Sequence, residues 1–499
     1  MKMVKVIGYI FLLIVISCST KTSSPCNTPN IIYILADDLG YGDLAVYNKN
    51  SKIKTPNLDQ LAKEGMLFTD MHSTSSVCTP TRYSILTGEY AWRTQLKSGV
   101  LWSYAPLMIP SNKETVASLL KKKNYHTAVI GKWHLGLDWQ LKNPLTEDQI
   151  KTNDQGLIID YDQNSIDFSK SPSKGPKDIG FDYSYIIPAS LDIPPYVYLE
   201  NQKFTQPVNQ TTQGSHLNFG NDKDFWRPGP MAEGFDFYDV LPNFIRKAKT
   251  YIDRVQDNKN PFFLYLPLPA PHTPWLPSDE FKNTSQAGMY GEYVQMVDEY
   301  VGQLLKHVEK QGISKKTMIV FTSDNGPFWR PHHIETFGHQ AAGELRGMKG
   351  DVYDGGHRIP FILKWPGRVN QGTLSYRPNT LANFMATVAE MLNVTTAAKD
   401  SHSIYKELTD ENYKPEIFPI VHHSSGGHFA LRSGSWKLIE KWGSGGFSPP
   451  QSVATPQGIS QLRLYSFEEN LSEETDFAAV FPEQVETLQR QLDSIRSLK

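Results

Sequence analysis

The chain has 499 residues, which is too long for one small core and favours a large domain followed by a smaller one. Hydrophobic residues make up 39% of it and charged residues 20%, as in ordinary soluble globular proteins. The formal net charge of -2 gives no general reason to bind nucleic acid or an anionic membrane, so an anionic substrate would need a local basic pocket.

The first residues have the pattern of an export signal. Two lysines precede an apolar run over residues 6–16, which is too short for a comfortable transmembrane helix. The run ends in Ser-Cys, which is typical of a bacterial lipoprotein signal with Cys18 as the lipidated residue; a plain secretory peptide is the alternative. We predict a signal peptide over 1–18, a flexible tether over 19–28, and an exported protein. It would be periplasmic or held at the outer membrane or cell surface through its lipid anchor alone, and otherwise secreted.

The ordered part should begin with a buried strand. Residues 31–35 form a continuous apolar run, as expected of a strand covered on both faces, and Asp37-Asp38 follow it. Thr55 and Pro56 then predict the start of a helix, because a capping residue precedes proline at the first helical position.

A second helix and strand follow. Ser111 and Glu114 form a capping-box pattern, which predicts that a helix starts there and continues through Lys122. The next strand is predicted over residues 126–130 and ends in a Gly-Lys-Trp-His sequence.

The next stretch, residues 139–260, shows little periodicity and many Pro, Gly, Asp and aromatic residues, so we interpret it as long excursions over one face of the sheet. After it come a buried strand at 261–266, an amphipathic helix over 294–308 and another buried strand at 318–321. This alternation predicts an α/β domain with a central, mostly parallel sheet flanked by helices.

The alternation ends near residue 400. Three short runs between residues 429 and 465 have the pattern of antiparallel strands, and an amphipathic helix from 482 to 498 would cover them. We therefore predict the large α/β domain over 29–400 and a smaller C-terminal α+β subdomain, with an antiparallel sheet, over 401–499.

Acidic and amide side chains follow two of the predicted strands. Asp37-Asp38 and Asp324-Asn325 should converge, because open α/β sheets bind ligands at the carboxyl ends of their strands. Hard oxygen ligands suit Ca²⁺ or Mg²⁺, whereas zinc favours His and Cys. Adjacent carboxylates also repel unless a cation lies between them. For either pair alone, turn formation or helix capping is the alternative.

Basic side chains follow other strand ends. Lys132 and His134 follow one strand, His272 follows another, and Lys349 lies in a Leu-Arg-Gly-Met-Lys-Gly segment. Lysines fixed in a partly dry pocket can hold the oxygens of an anionic ester, and a histidine can give a proton to a departing hydroxyl. Taken singly, each could be a solvated charge or a satisfied polar contact.

The most informative segment is 78–82, Cys-Thr-Pro-Thr-Arg, followed by Leu-Thr-Gly at 86–88. A lone cysteine is more often a small buried hydrophobe than a nucleophile. This segment, however, resembles the C-x-P-x-R signature of the formylglycine-dependent type I sulfatases, the arylsulfatase family of the alkaline phosphatase-like superfamily. The other blocks match that family in order and spacing from about residue 29 to 370, and the segment near 464–467 resembles its closing segment.

The resemblance implies a ligand set and a modification. Asp37, Asp38, Asp324 and Asn325 would be the metal ligands, with the modified Cys78 as a further one. Ca²⁺ is the ion that the family implies, and Mg²⁺ is the alternative. The cysteine would be oxidised to formylglycine by a formylglycine-generating or sulfatase-maturating enzyme.

The resemblance also assigns the basic residues. Arg82 would orient the aldehyde hydrate, while Lys132 and Lys349 would bind sulfate. His272 would be the general acid toward the leaving group, and His134 would help break down the sulfated intermediate. The hydrate carries two hydroxyls on one carbon: one attacks sulfur and displaces the alcohol, and loss of a proton from the other expels sulfate.

The expected substrate is a sulfated sugar, in a polysaccharide or its oligosaccharides, so that this chain would be a bacterial carbohydrate sulfatase. Candidate sugar contacts are Asp192, Tyr196, His357 and Arg358, with core packing or turn roles as the alternative. The stretch around Asp192 resembles carbohydrate sulfatases and suggests an acetylgalactosamine or galactose sulfate. Two other functions stay open: a phosphodiesterase or phosphonate hydrolase of the same superfamily, and a non-catalytic sulfated-glycan binding protein in which Cys78 stays a thiol.

Overall fold

The computed structural model describes residues 28–215, 225–455, 457–458, 460–468 and 471–498. The predicted signal peptide with Cys18, and the tether up to residue 27, lie outside the described residues. Within these described ranges, no helix is both long enough and apolar enough to cross a bilayer.

The strands, in chain order, are β1 (Asn30–Ala36), β2 (Met66–His72), β3 (His126–Lys132), β4 (Ile150–Thr152), β5 (Ile158–Tyr161), β6 (Tyr183–Ile187), β7 (Leu199–Glu200), β8 (Lys203–Phe204), β9 (Gln210–Thr212), β10 (Gly229–Met231), β11 (Phe262–Pro267), β12 (Thr317–Ser323), β13 (Arg358–Lys364), β14 (Thr373–Ser375), β15 (Asn379–Thr380), β16 (Ile420–His423), β17 (Phe429–Ser433), β18 (Trp436–Ile439) and β19 (Arg463–Ser466).

The α-helices are α1 (Pro56–Lys63), α2 (Cys78–Thr87), α3 (Val116–Lys121), α4 (Val240–Val255), α5 (Gly288–Lys310), α6 (Pro331–Phe337), α7 (Asp354–His357), α8 (Asn383–Met391), α9 (Tyr405–Thr409) and α10 (Pro482–Ser497). Short 3-10 turns connect several of these elements.

A central sheet of eleven strands organises the large part of the molecule. Its middle five strands, in the order β12-β1-β11-β3-β6, are parallel to one another. The pairs β12-β13 and β6-β7, on either side of these five, are antiparallel. The predicted α/β class with a mostly parallel centre is confirmed, and the antiparallel flanks make the sheet mixed.

Strand β1 shows why an unbroken apolar run forms a central strand. Ile31, Tyr33 and Leu35 pack into the hydrophobic core on one face of the sheet, and Ile32 and Ile34 pack into the core on the other. Successive side chains of a strand point to opposite faces, so a strand covered on both sides is apolar throughout.

Helix α3 begins later than the sequence predicts. Its N-cap is Thr115, whose Oγ1 accepts a hydrogen bond from the Ser118 backbone N–H at 3.1 Å, while Ser118 Oγ accepts one from the Thr115 N–H at 2.9 Å. The predicted capping box at Ser111 and Glu114 is therefore wrong. The Glu114 carboxylate pairs with Lys122 at 2.5 Å instead.

Residues 139–260 are more regular than predicted. They contribute β6 to the central sheet, and α4 packs over that sheet with its apolar side chains buried. Pro242 lies in the first turn of α4, where a missing N–H costs little, so it does not break the helix. The helix was missed because the surrounding Pro, Gly and Asp residues obscured its period.

The C-terminal part contains the predicted antiparallel sheet, in the order β16-β17-β18-β19. Helix α10 covers it through Leu488 and Leu492, which are buried in a small separate core. Strand β16 was not predicted, and its end reaches the large domain, where the His423 carbonyl accepts a hydrogen bond from the Ser76 N–H at 3.0 Å. The C-terminal sheet therefore supports the loop that leads into α2.

Candidate active site

Four adjacent parallel strands end at the same edge of the sheet, and each carries polar side chains there. These residues are Asp37 and Asp38 after β1, Lys132 and His134 at the end of β3, His272 after β11, and Asp324 and Asn325 after β12. The topology alone brings them together, because parallel neighbours place their carboxyl ends side by side.

The acidic side chains and the amide form one buried cluster. Asn325 Nδ2 donates a hydrogen bond to Asp38 Oδ1 at 2.7 Å, and the Asp38 backbone N–H donates to Asp324 Oδ1 at 3.3 Å. Asn325 Oδ1 is buried and has no hydrogen-bond partner among the described residues. The cluster thus offers the carboxylates of Asp37, Asp38 and Asp324 and the unpartnered amide oxygen of Asn325. A hard divalent cation such as Ca²⁺ or Mg²⁺ prefers this donor set, so these residues fit the metal implied by the sequence.

Three cations surround this cluster. Lys132 Nζ lies 2.5 Å from Asp37 Oδ2, and Lys349 Nζ lies 2.8 Å from Asp38 Oδ2. Arg82 donates to Asp324 Oδ2 from Nε at 2.9 Å and from a terminal nitrogen at 2.8 Å. Such charge-assisted bonds hold the carboxylates in fixed orientations.

The pKa values of Asp37 and Asp324, the two acids nearest Arg82, are shifted in opposite directions. Burial alone would raise the pKa of Asp37, but the charges of Lys132, His272 and Arg82 outweigh it and hold that pKa well below its usual value. The pKa of Asp324 is raised, by burial and by the negative charge of Asp37, against the opposing effect of Arg82. Negative charge in the cluster is thus incompletely compensated at Asp324, which favours binding of a further cation.

Cys78 is the first residue of α2 and is buried beside this cluster. Its Sγ lies 3.6 Å from Asp37 Oδ1 and 3.6 Å from Lys132 Nζ. Burial raises the pKa of the thiol despite the nearby lysines, so the residue is not a thiolate at neutral pH. Arg82 lies one helical turn further along α2, on the same face, and its guanidinium reaches the Lys132 carbonyl at 3.0 Å.

The two predicted catalytic histidines differ in surroundings. His134 Nε2 lies 2.9 Å from the Leu101 carbonyl, and burial together with Lys132 and Arg82 holds its pKa well below the usual value, so the ring is neutral. His272 Nδ1 lies 2.5 Å from the Thr273 carbonyl, and its Nε2 lies 3.7 Å from Asp38 Oδ2.

A cavity of about 900 Å³ opens onto this site. The predicted residues that border it are Asp38, Cys78, His134, Asp192, His272 and Lys349. Asp37, Arg82, Lys132, Asp324 and Asn325 do not border it, and they are bonded to the cavity residues or to one another. A volume at the upper end of the range for ligand pockets, roughly 300–1,000 Å³, suits a ligand of at least one sugar ring.

Three predicted sugar contacts do not border this cavity in the described part of the chain. Tyr196 is buried, and its hydroxyl donates to the Arg227 carbonyl at 2.8 Å. His357 and Arg358 belong to a separate buried cluster, in which Arg358 Nε donates to Asp354 Oδ2 at 2.8 Å. These positions correct the prediction, because the three side chains already have other partners.

Several cavity residues were missed from the sequence. They are Trp102, Ser190, Phe225, Arg227, Phe328 and Phe447, which come from separate loops and from the C-terminal subdomain. The enrichment of aromatic residues in 139–260 is a signal only for Phe225, and it does not say which aromatic side chains face the site.

The C-terminal subdomain also ties together two loops of the site. The Gly350 N–H donates to the Ser76 carbonyl at 2.8 Å, and the Ser425 N–H donates to the Gly350 carbonyl at 2.9 Å. Ser76 lies two residues before Cys78, and Gly350 directly follows Lys349. The loop after β16 therefore fixes the distance between these two side chains.

Comparison with known proteins identifies the family of this chain. The family model described as Sulfatase matches residues 29–394. An N-acetylgalactosamine-6-O-sulfatase of Bacteroides thetaiotaomicron is 30% identical, over 94% of this chain and 93% of the relative. Arylsulfatase A of Homo sapiens is 30% identical, over 82% of this chain and 74% of the relative.

A solved structure from Bacteroides thetaiotaomicron, described under metabolism of multiple glycosaminoglycans, superposes with a TM-score of 0.79 at 28% identity, over 95% of this chain and 100% of the other. The family match spans most of the chain. The chain belongs to the sulfatase family.

Proposed function

We propose that this chain hydrolyses the sulfate ester of a sugar, using formylglycine formed from Cys78 and a bound divalent cation. One observation carries the proposal: the Cys78 side chain lies 3.6 Å from both Asp37 Oδ1 and Lys132 Nζ. A nucleophile at this position would be within reach of the oxygen cluster and of a fixed positive charge, in a cleft that opens to solvent.

The environment of Cys78 supports modification over thiol chemistry. The unmodified side chain is buried and its pKa is raised, which makes it a poor thiol nucleophile. A formylglycine hydrate would supply a hydroxyl nucleophile and a second hydroxyl on the same carbon. The partner would be a formylglycine-generating or sulfatase-maturating enzyme acting on the segment 78–82 before it folds.

The cation would be held by Asp37, Asp38, Asp324 and Asn325, together with the modified residue 78, and Ca²⁺ is the ion we propose, with Mg²⁺ as the alternative. It would supply Lewis-acid activation and neutralise the carboxylates. That neutralisation would leave the ammonium groups of the neighbouring lysines available to an anionic substrate.

The side chains at the cavity and directly behind its wall would then divide the remaining work. Lys132 and Lys349, fixed in a largely dry site, would hold the sulfate oxygens as negative charge develops on them. His272 would donate a proton to the departing sugar oxygen. His134, neutral because of its burial and its positive neighbours, would be able to accept a proton, and Arg82 would orient the residue at position 78.

The substrate class follows from the relatives. The Bacteroides thetaiotaomicron relative is named as an N-acetylgalactosamine-6-O-sulfatase, so a sulfated N-acetylgalactosamine or galactose, in a polysaccharide or its oligosaccharides, is the substrate we propose. The deciding assay compares purified, matured protein on an aryl sulfate and on an aryl phosphodiester. We expect the sulfate to react far faster, whereas a preference for the phosphodiester would establish the phosphodiesterase alternative.

Mass spectrometry of the tryptic peptide spanning residues 64–82 tests the modification directly. We expect formylglycine at position 78 in natively expressed protein. A wholly unmodified cysteine in protein that still binds sulfated sugars would establish the non-catalytic alternative instead.

We also propose that the protein is exported and anchored through a lipid on Cys18. Replacing Cys18 with alanine should move the protein from the membrane fraction to the soluble exported fraction and abolish labelling by a radioactive fatty acid. Unchanged fractionation would favour a plain secretory signal.

A further inference from the structure

Two buried oxygen atoms on the cavity wall lack a hydrogen bond of normal geometry to any described residue. They are Asp192 Oδ1 and Ser190 Oγ, and the Ser190 side chain lies close enough to Asp192 to lower the pKa of that carboxyl. The Asp192 side chain is only 9% exposed. A buried carboxylate oxygen without a partner is costly, and a bound ligand group is one of the explanations for such an atom.

The neighbouring histidine does not occupy this oxygen. His272 Nδ1 lies 3.9 Å from Asp192 Oδ1, which is beyond hydrogen-bond distance, and 2.5 Å from the Thr273 carbonyl. The proton on Nδ1 is therefore directed to the Thr273 carbonyl. Asp192 Oδ1 remains available on the cavity side, beside the proposed general acid.

Arg227 holds Asp192 in place. One of its terminal nitrogens donates to Asp192 Oδ2 and, at 3.1 Å, to the Asp192 carbonyl. Its guanidinium carbon lies 5.1 Å from the centre of the Trp102 ring and 4.9 Å from that of Phe225. Guanidinium groups stack on aromatic faces in this way, so Arg227 is fixed between two rings and the Asp192 carboxylate is fixed by Arg227.

The charge state of Asp192 limits what it can bind. Burial alone would raise its pKa, but the charges of His272, Arg227 and Lys132 outweigh it and lower the pKa to about 2. An ionised carboxylate accepts hydrogen bonds and donates none. Its ligand must therefore present an O–H or N–H group, which excludes a sulfate or carboxylate oxygen at this position.

We propose that Asp192 Oδ1 accepts a hydrogen bond from a ring hydroxyl or acetamido N–H of the sulfated sugar itself, and that Asp192 and Arg227 thereby select sugar sulfates over other sulfate esters. The inference rests on the proposed function, because it assumes that His272 protonates the departing oxygen and that this oxygen therefore lies beside His272. Since Asp192 adjoins His272, the donor group lies on the ring close to the carbon that bears the sulfate.

The test uses Asp192→Asn in the matured, full-length protein with two kinds of substrate. The sugar substrate is whichever of N-acetylgalactosamine or galactose 4- and 6-sulfate the wild type cleaves best, and the other is 4-nitrophenyl sulfate, which has no such donor. We expect kcat/KM on the sugar to fall about 10- to 100-fold, as for loss of a hydrogen bond to a charged group. The aryl sulfate should change by less than about threefold.

Asp239→Asn is the matched control. Asp239, the residue before α4, makes a comparable ion pair with Arg246 of that helix at 2.5 Å, but both side chains are exposed. This variant should leave both activities unchanged.

Each contrary outcome has a distinct meaning. An equal fall of kcat/KM on both substrates in Asp192→Asn would show that the residue acts through His272 or through the fold. An unchanged kcat/KM on the sugar would show that Asp192 is not a sugar contact. Either result overturns the inference. A wild type that cleaves the aryl sulfate but none of the sugars also overturns it while leaving sulfate-ester hydrolysis intact. If the wild type cleaves neither, the proposed function itself fails.

Deoxy analogues of the best sugar identify the donor. The wild type should cleave one of these analogues more slowly than the parent sugar, whereas Asp192→Asn should cleave that analogue and the parent sugar equally. Enzyme and substrate changes that remove the same hydrogen bond are not additive. A binding measurement in a Cys78→Ala background, which needs no turnover, should show the same pattern. Additive losses for every analogue would refute a direct contact.

Discussion

The Nδ1 atoms of His72 and His357 lie 3.0 Å apart in a buried cluster between the central sheet and the C-terminal sheet. His357 Nε2 lies 3.1 Å from Lys437 Nζ, a donor, and 3.2 Å from the Val352 carbonyl, an acceptor, so these contacts alone do not fix its tautomer. The Asp70 carboxylate only accepts, so His72 donates to it from Nε2 at 2.7 Å. Burial lowers the pKa of both rings, which are therefore neutral: His72 accepts at Nδ1, and His357 donates to it from Nδ1.

This cluster predicts loss of stability in acid. Burial first, and then the charges of His422 and Lys437, hold the pKa of His357 well below 6.5, and burial lowers the pKa of His422 in the same way. A base whose pKa is depressed by folding stabilises the protein fully above its unfolded pKa, and that stability is lost as pH falls below about 6.5. The thermal midpoint should be flat above this pH and fall below it.

His422→Leu tests the assignment. Neither ring nitrogen of His422 has a hydrogen-bond partner among the described residues, so the substitution removes a buried titrating group without breaking a bond. We expect the slope of thermal midpoint against pH below 6.5 to decrease. His126→Gln, at the start of β3 and partly exposed, is the control and should keep the wild-type slope. An unchanged slope in His422→Leu would contradict the prediction.

Arg82→Lys should destabilise the protein although it keeps the charge. Arg82 uses three nitrogens to bind Asp324 and the Lys132 carbonyl, and a single ammonium cannot reach both. Weakening a fully buried ion pair should lower the free energy of unfolding by on the order of 2–3 kcal/mol in urea denaturation. Arg246→Lys, in the exposed pair with Asp239, is the matched control, for which a change below about 1 kcal/mol is expected. Equal effects would show that the buried pair has no special role.

Metal binding should raise the stability of the wild type. A dication among Asp37, Asp38 and Asp324 would relieve their repulsion, so Ca²⁺ at one hundred times its dissociation constant should add about 2.7 kcal/mol over protein in chelator. The thermal midpoint, measured with Ca²⁺, with Mg²⁺ and with chelator alone, gives this increment and the preferred ion.

Asn325→Leu should reduce that increment, because it removes the buried, unpartnered amide oxygen of the cluster. The matched control is Asn243→Leu on α4, which loses an amide bonded to the Tyr185 hydroxyl at 3.0 Å, away from the cluster. It should lower the midpoint equally with and without metal. If the wild type responds to neither ion, or if Asn325→Leu responds fully, the ligand set is wrong.

The sequence predicts the part of the site that follows from topology. Asp38 and Asp324 are 286 residues apart, yet they meet because each follows a parallel strand and the strands are neighbours. Local propensity and apolar runs are enough to place such residues at one edge of the sheet. The same reasoning covers Lys132 and His272.

The cavity wall could not be predicted in this way. Trp102 and Arg227 meet because two irregular loops cross, and Phe447 arrives from the C-terminal subdomain. No periodicity specifies such paths, which depend on packing between distant segments. His357 and Arg358 show the converse, because a Gly-Gly-His-Arg sequence before a strand resembles a site loop, and only the positions of Asp70 and Asp354 show that these side chains are held elsewhere.

Replacing His272 should separate substrates by leaving group. His272 borders the cavity, and we propose that it protonates the departing oxygen. A sugar alkoxide is a poor leaving group and needs that proton, whereas 4-nitrophenolate does not. His272→Gln should therefore lower kcat on a sugar sulfate by about 10²- to 10⁴-fold and on 4-nitrophenyl sulfate much less. His307→Gln, on α5, whose ring pairs with the half-exposed Asp253 of α4 and does not border the cavity, should leave both rates unchanged. Equal losses on the two substrates in His272→Gln would exclude general-acid catalysis and would indicate that His272 holds the sulfate group instead, since that contact is common to both esters.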